Sequence, residues 1–270
     1  MQLWVADSER GLMRKSGDTT LRVDAPGEAL CACWGMVCCA GGGRCGGYDP
    51  ATGEKRWDAA LPTGVCALAG IRDRVCAVSQ DADSVTALSA FSGETLFSAP
   101  AGVYPRDICP NPQGTHLAVA GGAAGEILVL DDNLRCVKKY QVPGTVCGVC
   151  FLPQCLMALC AVEDGDLSAR LLRLSFRGVW EEVWARPLTP SCLCALPGNA
   201  CAVGCYGMVA CLKGGKAIAP GRSVPCPVRL RPGKWGLMLC DPWEGRVSLF
   251  TGSTLYQGKA PQDAVVMVSD

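Results

Sequence analysis

The sequence contains a single histidine among its 270 residues and has no excess of either charge. One histidine excludes metal centres that need two or more imidazole ligands. Lysine plus arginine and aspartate plus glutamate each number 25, so the net charge gives no reason to expect nucleic acid or an anionic membrane as a partner. Aromatic residues make up only 6% of the chain. The composition therefore gives no reason to expect a multi-histidine metal centre or a polyanionic partner.

Long apolar runs are also missing. The opening residues, MQLWVADSERGLMRK, lack the basic start and apolar stretch of a signal peptide. The longest apolar runs, such as residues 208–212, are far shorter than the ~20 residues of a membrane span. We therefore expect a cytoplasmic protein whose thiols are reduced.

Against these absences stand 20 cysteines, 33 glycines and 18 prolines, arranged in a repeat. One recurring pattern is a β-rich run, a tight turn with Gly, Asp or Asn, and a second β-rich run, which predicts a hairpin. It occurs at residues 48–64, 88–102, 128–144, 171–184 and 247–260. A strand, a turn and a more apolar strand precede each hairpin. One unit thus has four strands, a to d, and spans roughly 36 to 45 residues, the length of a β-propeller blade.

The repeat predicts an all-β, seven-bladed β-propeller with four-stranded antiparallel blades, in a single domain covering residues 1–270. Six blades are expected to start near residues 28, 65, 106, 146, 191 and 227. Residues 264–270 read as a lone strand a, and residues 1–27 supply strands b, c and d. Together they predict a seventh blade closed by both ends of the sequence, which removes exposed sheet edges. Six or eight blades remain alternatives.

Two stretches resemble bacterial propellers of the YVTN and pyrroloquinoline-quinone-type repeat families, which are WD-repeat-like. Asp49, Thr52, Gly53 and Trp57 in YDPATGEKRW are similar to the D-x-x-T-G-x-x-x-W pattern of the quinone-type repeat. Residues 114–131 are similar to a YVTN blade. The resemblance implies the fold. In these repeats the motif residues are turn and packing residues, so no quinone or other cofactor is expected.

The cysteines fall at equivalent places in the repeat. The sequence predicts thiols near the start of strand a at Cys31, Cys66, Cys109, Cys147, Cys192 and Cys226. It predicts further thiols in strand b at Cys38, Cys39, Cys76, Cys155, Cys160, Cys201, Cys205 and Cys240. Strands a and b lie nearest the propeller axis, where space is tightest, and reduced cysteine behaves as a small hydrophobe. We therefore expect the thiols to be packing residues.

The sequence gives weaker support for a metal site, a redox site, a histidine-based active site or a phosphate-binding loop. Cys147 and Cys150 form the single CxxC motif, without a second pair for zinc and without a helix for a thioredoxin-like site. A metal bound by a ring of strand-a thiols is a further alternative. His116 is expected at the start of a strand b, without a nucleophile elbow. The glycine clusters at 41–47 and 121–126 lack the features of a phosphate loop and are predicted to be b–c turns.

The blade assignment places most acidic loop residues at one end of the propeller and most basic ones at the other. The b–c loops share one face with the d–a loops and are rich in acids, whereas the opposite face carries the bases Lys15, Lys55, Arg56, Arg72, Arg74, Arg177, Lys213, Lys216, Arg231 and Lys234. The candidate binding face comprises Asp7, Glu9, Arg44, Asp81, Asp83, Arg106, Glu163, Asp164, Asp166, Tyr206, Asp241, Trp243 and Glu244. Asp is also a common turn residue, so these acids have a structural explanation as well.

We therefore predict a non-catalytic propeller that binds a protein or peptide, a basic one in particular, or a small molecule through the loops around its axial channel. No catalytic, cofactor-binding or metal-binding residue is assigned. The alternative is a propeller enzyme of the lactonase or hydrolase type, with a divalent cation held by several acids at the channel mouth. That alternative requires three or more of the named acids to converge on the channel.

Overall fold

The computed structural model describes residues 2–175 and 178–267, and it consists of seven four-stranded antiparallel sheets. In chain order the strands are β1 (Gln2–Asp7), β2 (Gly11–Ser16), β3 (Thr19–Val23), β4 (Ala29–Cys33), β5 (Met36–Gly41), β6 (Arg44–Tyr48), β7 (Lys55–Ala60), β8 (Val65–Ile71), β9 (Arg74–Ser79), β10 (Ser84–Ser89), β11 (Thr95–Pro100), β12 (Asp107–Pro110), β13 (His116–Gly121), β14 (Glu126–Asp131), β15 (Cys136–Gln141), β16 (Thr145–Leu152), β17 (Cys155–Asp164), β18 (Asp166–Leu174), β19 (Trp180–Arg186), β20 (Pro190–Leu196), β21 (Ala200–Cys205), β22 (Met208–Lys213), β23 (Lys216–Ala217), β24 (Arg229–Gly233), β25 (Gly236–Asp241), β26 (Arg246–Leu249), β27 (Thr254–Gln257) and β28 (Pro261–Met267). A short 3-10 helix covers Gly122–Ala124.

The predicted seven-bladed propeller is confirmed. Blades 1 to 6 contain β4–β7, β8–β11, β12–β15, β16–β19, β20–β23 and β24–β27, and blade 7 joins β28 to β1, β2 and β3. Six strands a begin within two residues of their predicted positions. The closing strand begins earlier than predicted, at Pro261, and pairs antiparallel with β1. Residues 268–270 of the predicted strand, and Arg177 of the predicted basic face, lie outside the described residues.

Burial decreases from the axis outward, as expected when the inner strands have a neighbouring blade on both faces. In blade 1 every residue of β5 except Met36 is buried, and in blades 2 and 3 the outer strands β11 and β15 are almost wholly exposed. Burying apolar surface against both neighbours supplies most of the stabilisation of such a ring. Among the described residues, no helix is long and apolar enough to cross a membrane.

The cysteines occupy the predicted strands with one exception. Cys226 precedes β24 and lies in the d–a loop, because strand a of blade 6 begins three residues later, at Arg229. All twenty thiols are free, and fifteen are buried, whereas Cys136 on the outer strand β15 is exposed. Burial raises the pKa of Cys66 and Cys192 to about 12. These thiols are protonated at neutral pH and pack as small apolar groups.

Two residues of the stretch YDPATGEKRW shape a turn in blade 1 and connect blades 1 and 2. The carboxylate of Asp49 accepts hydrogen bonds from the backbone N–H groups of Ala51 and Thr52, at 2.9 and 3.1 Å, and so shapes the turn after β6. Trp57 then reaches into blade 2, where its Nε1 donates to the carbonyl of Ala90 at 2.7 Å. A Cβ on Gly93 would lie 2.6 Å from this indole, so only glycine fits there. Asp49 is thus a turn residue and Trp57 a packing residue.

Candidate functional site: the loop face and the axial channel

The two ends of the propeller differ in the loops they carry. The b–c and d–a loops form one end, which we call the loop face, and the a–b and c–d turns form the other, which we call the turn face. The predicted glycine turns lie on the loop face: Gly42 and Gly43, both with positive φ, connect β5 to β6, and the 3-10 helix connects β13 to β14. His116 begins β13 as predicted, with its Nδ1 2.9 Å from the Thr115 hydroxyl.

Two of the acids predicted for the binding surface are buried. Asp7 ends β1, and its carboxylate accepts from the backbone N–H groups of Glu9 and Arg10 and from the Tyr256 hydroxyl at 3.2 Å. Burial alone would raise the pKa of Asp7, but its backbone hydrogen bonds, that of Lys259 first, outweigh burial and lower it.

Asp241 has the equivalent role at the end of β25. It is 1% exposed and accepts from the N–H groups of Trp243 and Glu244 at 3.0 and 3.1 Å. These two carboxylates shape the b–c turns that follow them and do not present a charge to a partner. This corrects their predicted place on the surface, and the reason is that a turn begun by aspartate satisfies its own N–H groups.

Much of the remaining charge on the loop face is neutralised locally. Glu9 lies 3.3 Å from Lys259, Glu244 pairs with Arg246, and Arg44 pairs with Asp58. The Asp83 carboxylate accepts from the backbone N–H of Tyr104 at 2.6 Å. Asp81 lies against Gly64 at the adjacent d–a loop. Exposed pairs of this kind contribute little to stability, and they reduce the net field of the face.

One hairpin departs from this pattern. In blade 4, β17 has ten residues, whereas strand b has six residues in every other blade. Ala161 pairs with Thr145, the first residue of β16, so the three residues after Ala161 extend past strand a, by roughly 10 Å at the usual rise of a strand. The exposed tip carries Glu163, Asp164 and Asp166. Among the described residues, only Asp164 of these three contacts a base, Arg170 at 3.5 Å.

Large aromatic side chains are exposed on the same face. Trp243 is 82% exposed in blade 6 and Tyr206 is 49% exposed in blade 5. The sequence reasoning missed Tyr104, which is 46% exposed in the loop before β12 and has a φ of 51°. The guanidinium of Arg106 lies 5.8 Å from its ring centroid. A non-glycine residue with positive φ is uncommon, but no sequence motif marks this one.

The sequence reasoning also missed the charges within the axial channel. Arg229 and Arg231 project from β24. Arg229 reaches Asp107 of blade 3 at 3.0 Å, and Arg231 binds Asp263 of blade 7 through two hydrogen bonds of 2.9 and 2.7 Å. Arg231 was predicted to lie in a turn on the basic face. It lies instead within strand a, because β24 extends to Gly233.

The acids that line the channel are therefore not the acids named from the sequence. Burial opposes ionisation of Asp263, but the adjacent Arg231 outweighs it and lowers the pKa of Asp263. Among the residues described, no three His, Cys, Asp or Glu side chains are grouped closely enough to hold a metal ion. Cys147 and Cys150 lie within β16, where a thioredoxin-like site would require a helix, and burial raises the pKa of both thiols. A low thiol pKa is what redox catalysis needs.

No protein-family profile and no curated protein matches this sequence. Solved structures match its fold. A protein of unknown function from Desulfotomaculum acetoxidans superposes with a TM-score of 0.75 at 10% identity, covering 100% of this chain and 99% of that one. A proposed 6-phosphogluconolactonase from Bacteroides fragilis gives a TM-score of 0.70 at 10% identity, covering 98% and 97%. BBS1N, solved in complex with ARL6DN, gives 0.69 at 14% identity, covering 89% and 83%. At such identities the similarity shows the propeller fold alone.

Proposed function

We propose that this protein is a non-catalytic propeller that binds a protein partner through the loop face. The observation that carries the proposal is the succession of exposed groups on blades 4, 5 and 6. The acidic hairpin tip, Tyr206 and Trp243 follow one another around the ring on one face. Exposed aromatic side chains beside uncompensated charge are typical of binding hot spots.

The charge of this region favours a basic segment in the partner. Arg170 is the one base in contact with the three acids at the tip of the β17–β18 hairpin, within the part of the chain that the structure describes, and it is shared with Glu182 at 3.5 Å. The tip is thus left with net negative charge. A partner with lysine or arginine near apolar residues would pair with the tip and cover Tyr206 of the neighbouring blade, and a longer segment would reach Trp243.

The similarity to other propellers adds limited support. BBS1N is a propeller of this fold that was crystallised with a protein partner. A lactonase-type hydrolase ranks second, because Asp107 and Asp263, the acids in the channel, are each paired with an arginine. Paired carboxylates are poor ligands for a catalytic cation, since the arginine competes for the same oxygen atoms.

The test is quantitative affinity purification of the tagged, cross-linked protein from its native cells. The Tyr206→Ala, Trp243→Ala double variant removes the aromatic contacts of the loop face. Trp34→Ala is the matched control, because Trp34 is 60% exposed at the opposite end of the propeller. We expect the double variant to lose partner enrichment by about tenfold or more, as hot-spot residues do, and the control to retain it.

Two results would contradict the proposal. Equal enrichment by the wild type and the double variant would place any partner elsewhere. Equal loss in the double variant and the Trp34→Ala control would indicate non-specific adhesion to aromatic side chains.

A further inference from the structure

A cavity of about 300 Å³ occupies the half of the axial channel next to the turn face. Its walls come from all seven strands a, and on β8, β16 and β20 only residues from the middle of the strand onward contribute. Ala32 lines the cavity and is exposed, so the cavity opens to solvent. This volume is at the lower end of the range for small-molecule sites, ~300–1,000 Å³. The site is separate from the loop face.

The cavity has mostly apolar walls and a polar inner end. Leu68, Ile108, Val149, Leu193 and Val265 are among the residues that surround it. The two arginines of β24 and their aspartate partners supply the polar groups. A few polar groups at one end of an apolar cavity is the arrangement that orients a small organic ligand.

The arginines have more hydrogen-bond donors than the protein supplies acceptors. A guanidinium carries five N–H donors. Arg231 donates from Nε and Nη2 to Asp263 and from Nη2 to the carbonyl of Leu30. Arg229 donates from Nη1 to Asp107 and from Nη2 to a backbone carbonyl. Within the described residues, Nη1 of Arg231 and Nε of Arg229 have no acceptor.

The carboxylates, by contrast, are already satisfied. Asp263 also accepts from the backbone N–H groups of Leu30 and Ala264, at 3.1 and 2.9 Å, and Asp107 accepts from that of Val149 at 3.1 Å. The imbalance therefore calls for acceptors and not for donors. The side chain of Arg231 is 30% exposed although it lies within the channel, so an incoming acceptor can reach it.

We propose that this cavity binds a small organic monocarboxylate, with its carboxylate on Nη1 of Arg231 and its apolar body against the residues of the strands a that line the cavity. Nη1 of Arg231 offers its two N–H groups to such a carboxylate, and a hydrogen bond between two charged groups is stronger than one between neutral groups. The apolar walls favour a hydrocarbon body over an inorganic anion, because burying such a body removes apolar surface from water.

Titration calorimetry with sodium hexanoate tests this assignment, with hexanol, hexylamine and inorganic phosphate as comparison probes. We expect hexanoate to bind with one-to-one stoichiometry and a Kd of about 1 mM or below, at least tenfold tighter than each comparison probe. Ala32→Phe narrows the opening of the cavity without touching the ion pairs and is expected to abolish binding. Ala51→Phe, the same change at an exposed turn residue of the same blade, is expected to leave binding unchanged.

Two further measurements separate ligand chemistry from folding. Arg231→Lys keeps the charge but removes donors, and is expected to weaken hexanoate binding about tenfold or more. In the wild type, hexanoate should slow alkylation of Cys109, a half-buried thiol that lines the cavity, but not of the exposed Cys136. Peptide mass spectrometry measures both rates.

Three outcomes would overturn the proposal. Absence of hexanoate binding at about 10 mM would mean that water satisfies the arginines. Unchanged binding by the Ala32→Phe variant would place hexanoate at another site. Binding of phosphate as tight as that of hexanoate would show that the apolar walls make no contribution and that the site accepts any small anion.

Discussion

The channel and the loop face use the same pairs of residue types in different ways. On the loop face, acids pair with bases at the surface, as Glu244 does with Arg246, which lies two residues away. In the channel, Arg229 and Arg231 pair with aspartates of other blades, 122 and 32 residues away in sequence. The ion pairs of the channel thus connect different blades. The charged residues of the loop face, by contrast, are solvated in turns or remain available to a partner.

The largest loss of unfolding free energy is expected when one arginine of the channel is removed. Arg231→Ala leaves the carboxylate of Asp263, which is 1% exposed, without its counter-ion. Breaking a buried pair from one side costs about 3–5 kcal/mol of unfolding free energy. Urea denaturation followed by tryptophan fluorescence measures the change.

The matched surface change is Arg44→Ala, which breaks the exposed pair with Asp58 on the loop face. Its cost is expected to lie within about 1 kcal/mol. Similar losses from both variants would remove the distinction between the channel and the loop face.

A smaller effect is expected on how the stability of the fold depends on pH. The pKa of Asp263 is lowered in the folded state, so its ionised form stabilises the fold. This contribution is fully present above the ordinary aspartate pKa of 3.8 and is lost as the pH falls through the lower, folded value. Asp263→Asn should therefore be less stable at neutral pH but lose stability less steeply below about pH 4. Denaturation curves between acidic and neutral pH compare the slopes, and parallel curves for the two proteins would contradict the assignment.

The smallest change in unfolding free energy is expected from substitutions at the tip of the β17–β18 hairpin. Glu163→Gln and Asp166→Asn together remove two exposed charges with no basic contact among the described residues. Their effect on unfolding free energy is expected to stay within about 0.5 kcal/mol. Thermal unfolding checks this, and a larger loss would mean that these acids have a structural role like that of Asp7.

The repeat could be predicted from sequence because each blade encodes it locally. Strand, turn and strand recur in units of similar length, and the thiols mark the inner strands, so the number of blades and their closure could be predicted. Cys226 was misplaced because PCPVRLRPG contains prolines that delay the start of β24. Arg231 was misplaced because Pro232 and Gly233, which follow it, are typical of a turn but lie within β24.

The channel could not be predicted in the same way. Asp107 follows an arginine in YPRDIC and reads as an ordinary loop acid, and its true partner lies in a distant blade. Asp7 and Asp241 offered a usable signal, since each ends a strand b and is followed by a short turn. Two equivalent aspartates of this kind indicate a backbone cap more than a surface charge. Tyr104 offered none, because its exposure depends on the path of a single loop.

The position of Asp263 joins the closure of the ring to the charge of its channel. Asp263 lies on β28, which pairs with β1 in blade 7, yet its carboxylate binds Arg231 of blade 6 and the backbone of Leu30 in blade 1. One side chain therefore connects three consecutive blades where the ring closes. Displacing β28 would break the closing strand pair and leave the guanidinium of Arg231 without its counter-ion in the same event.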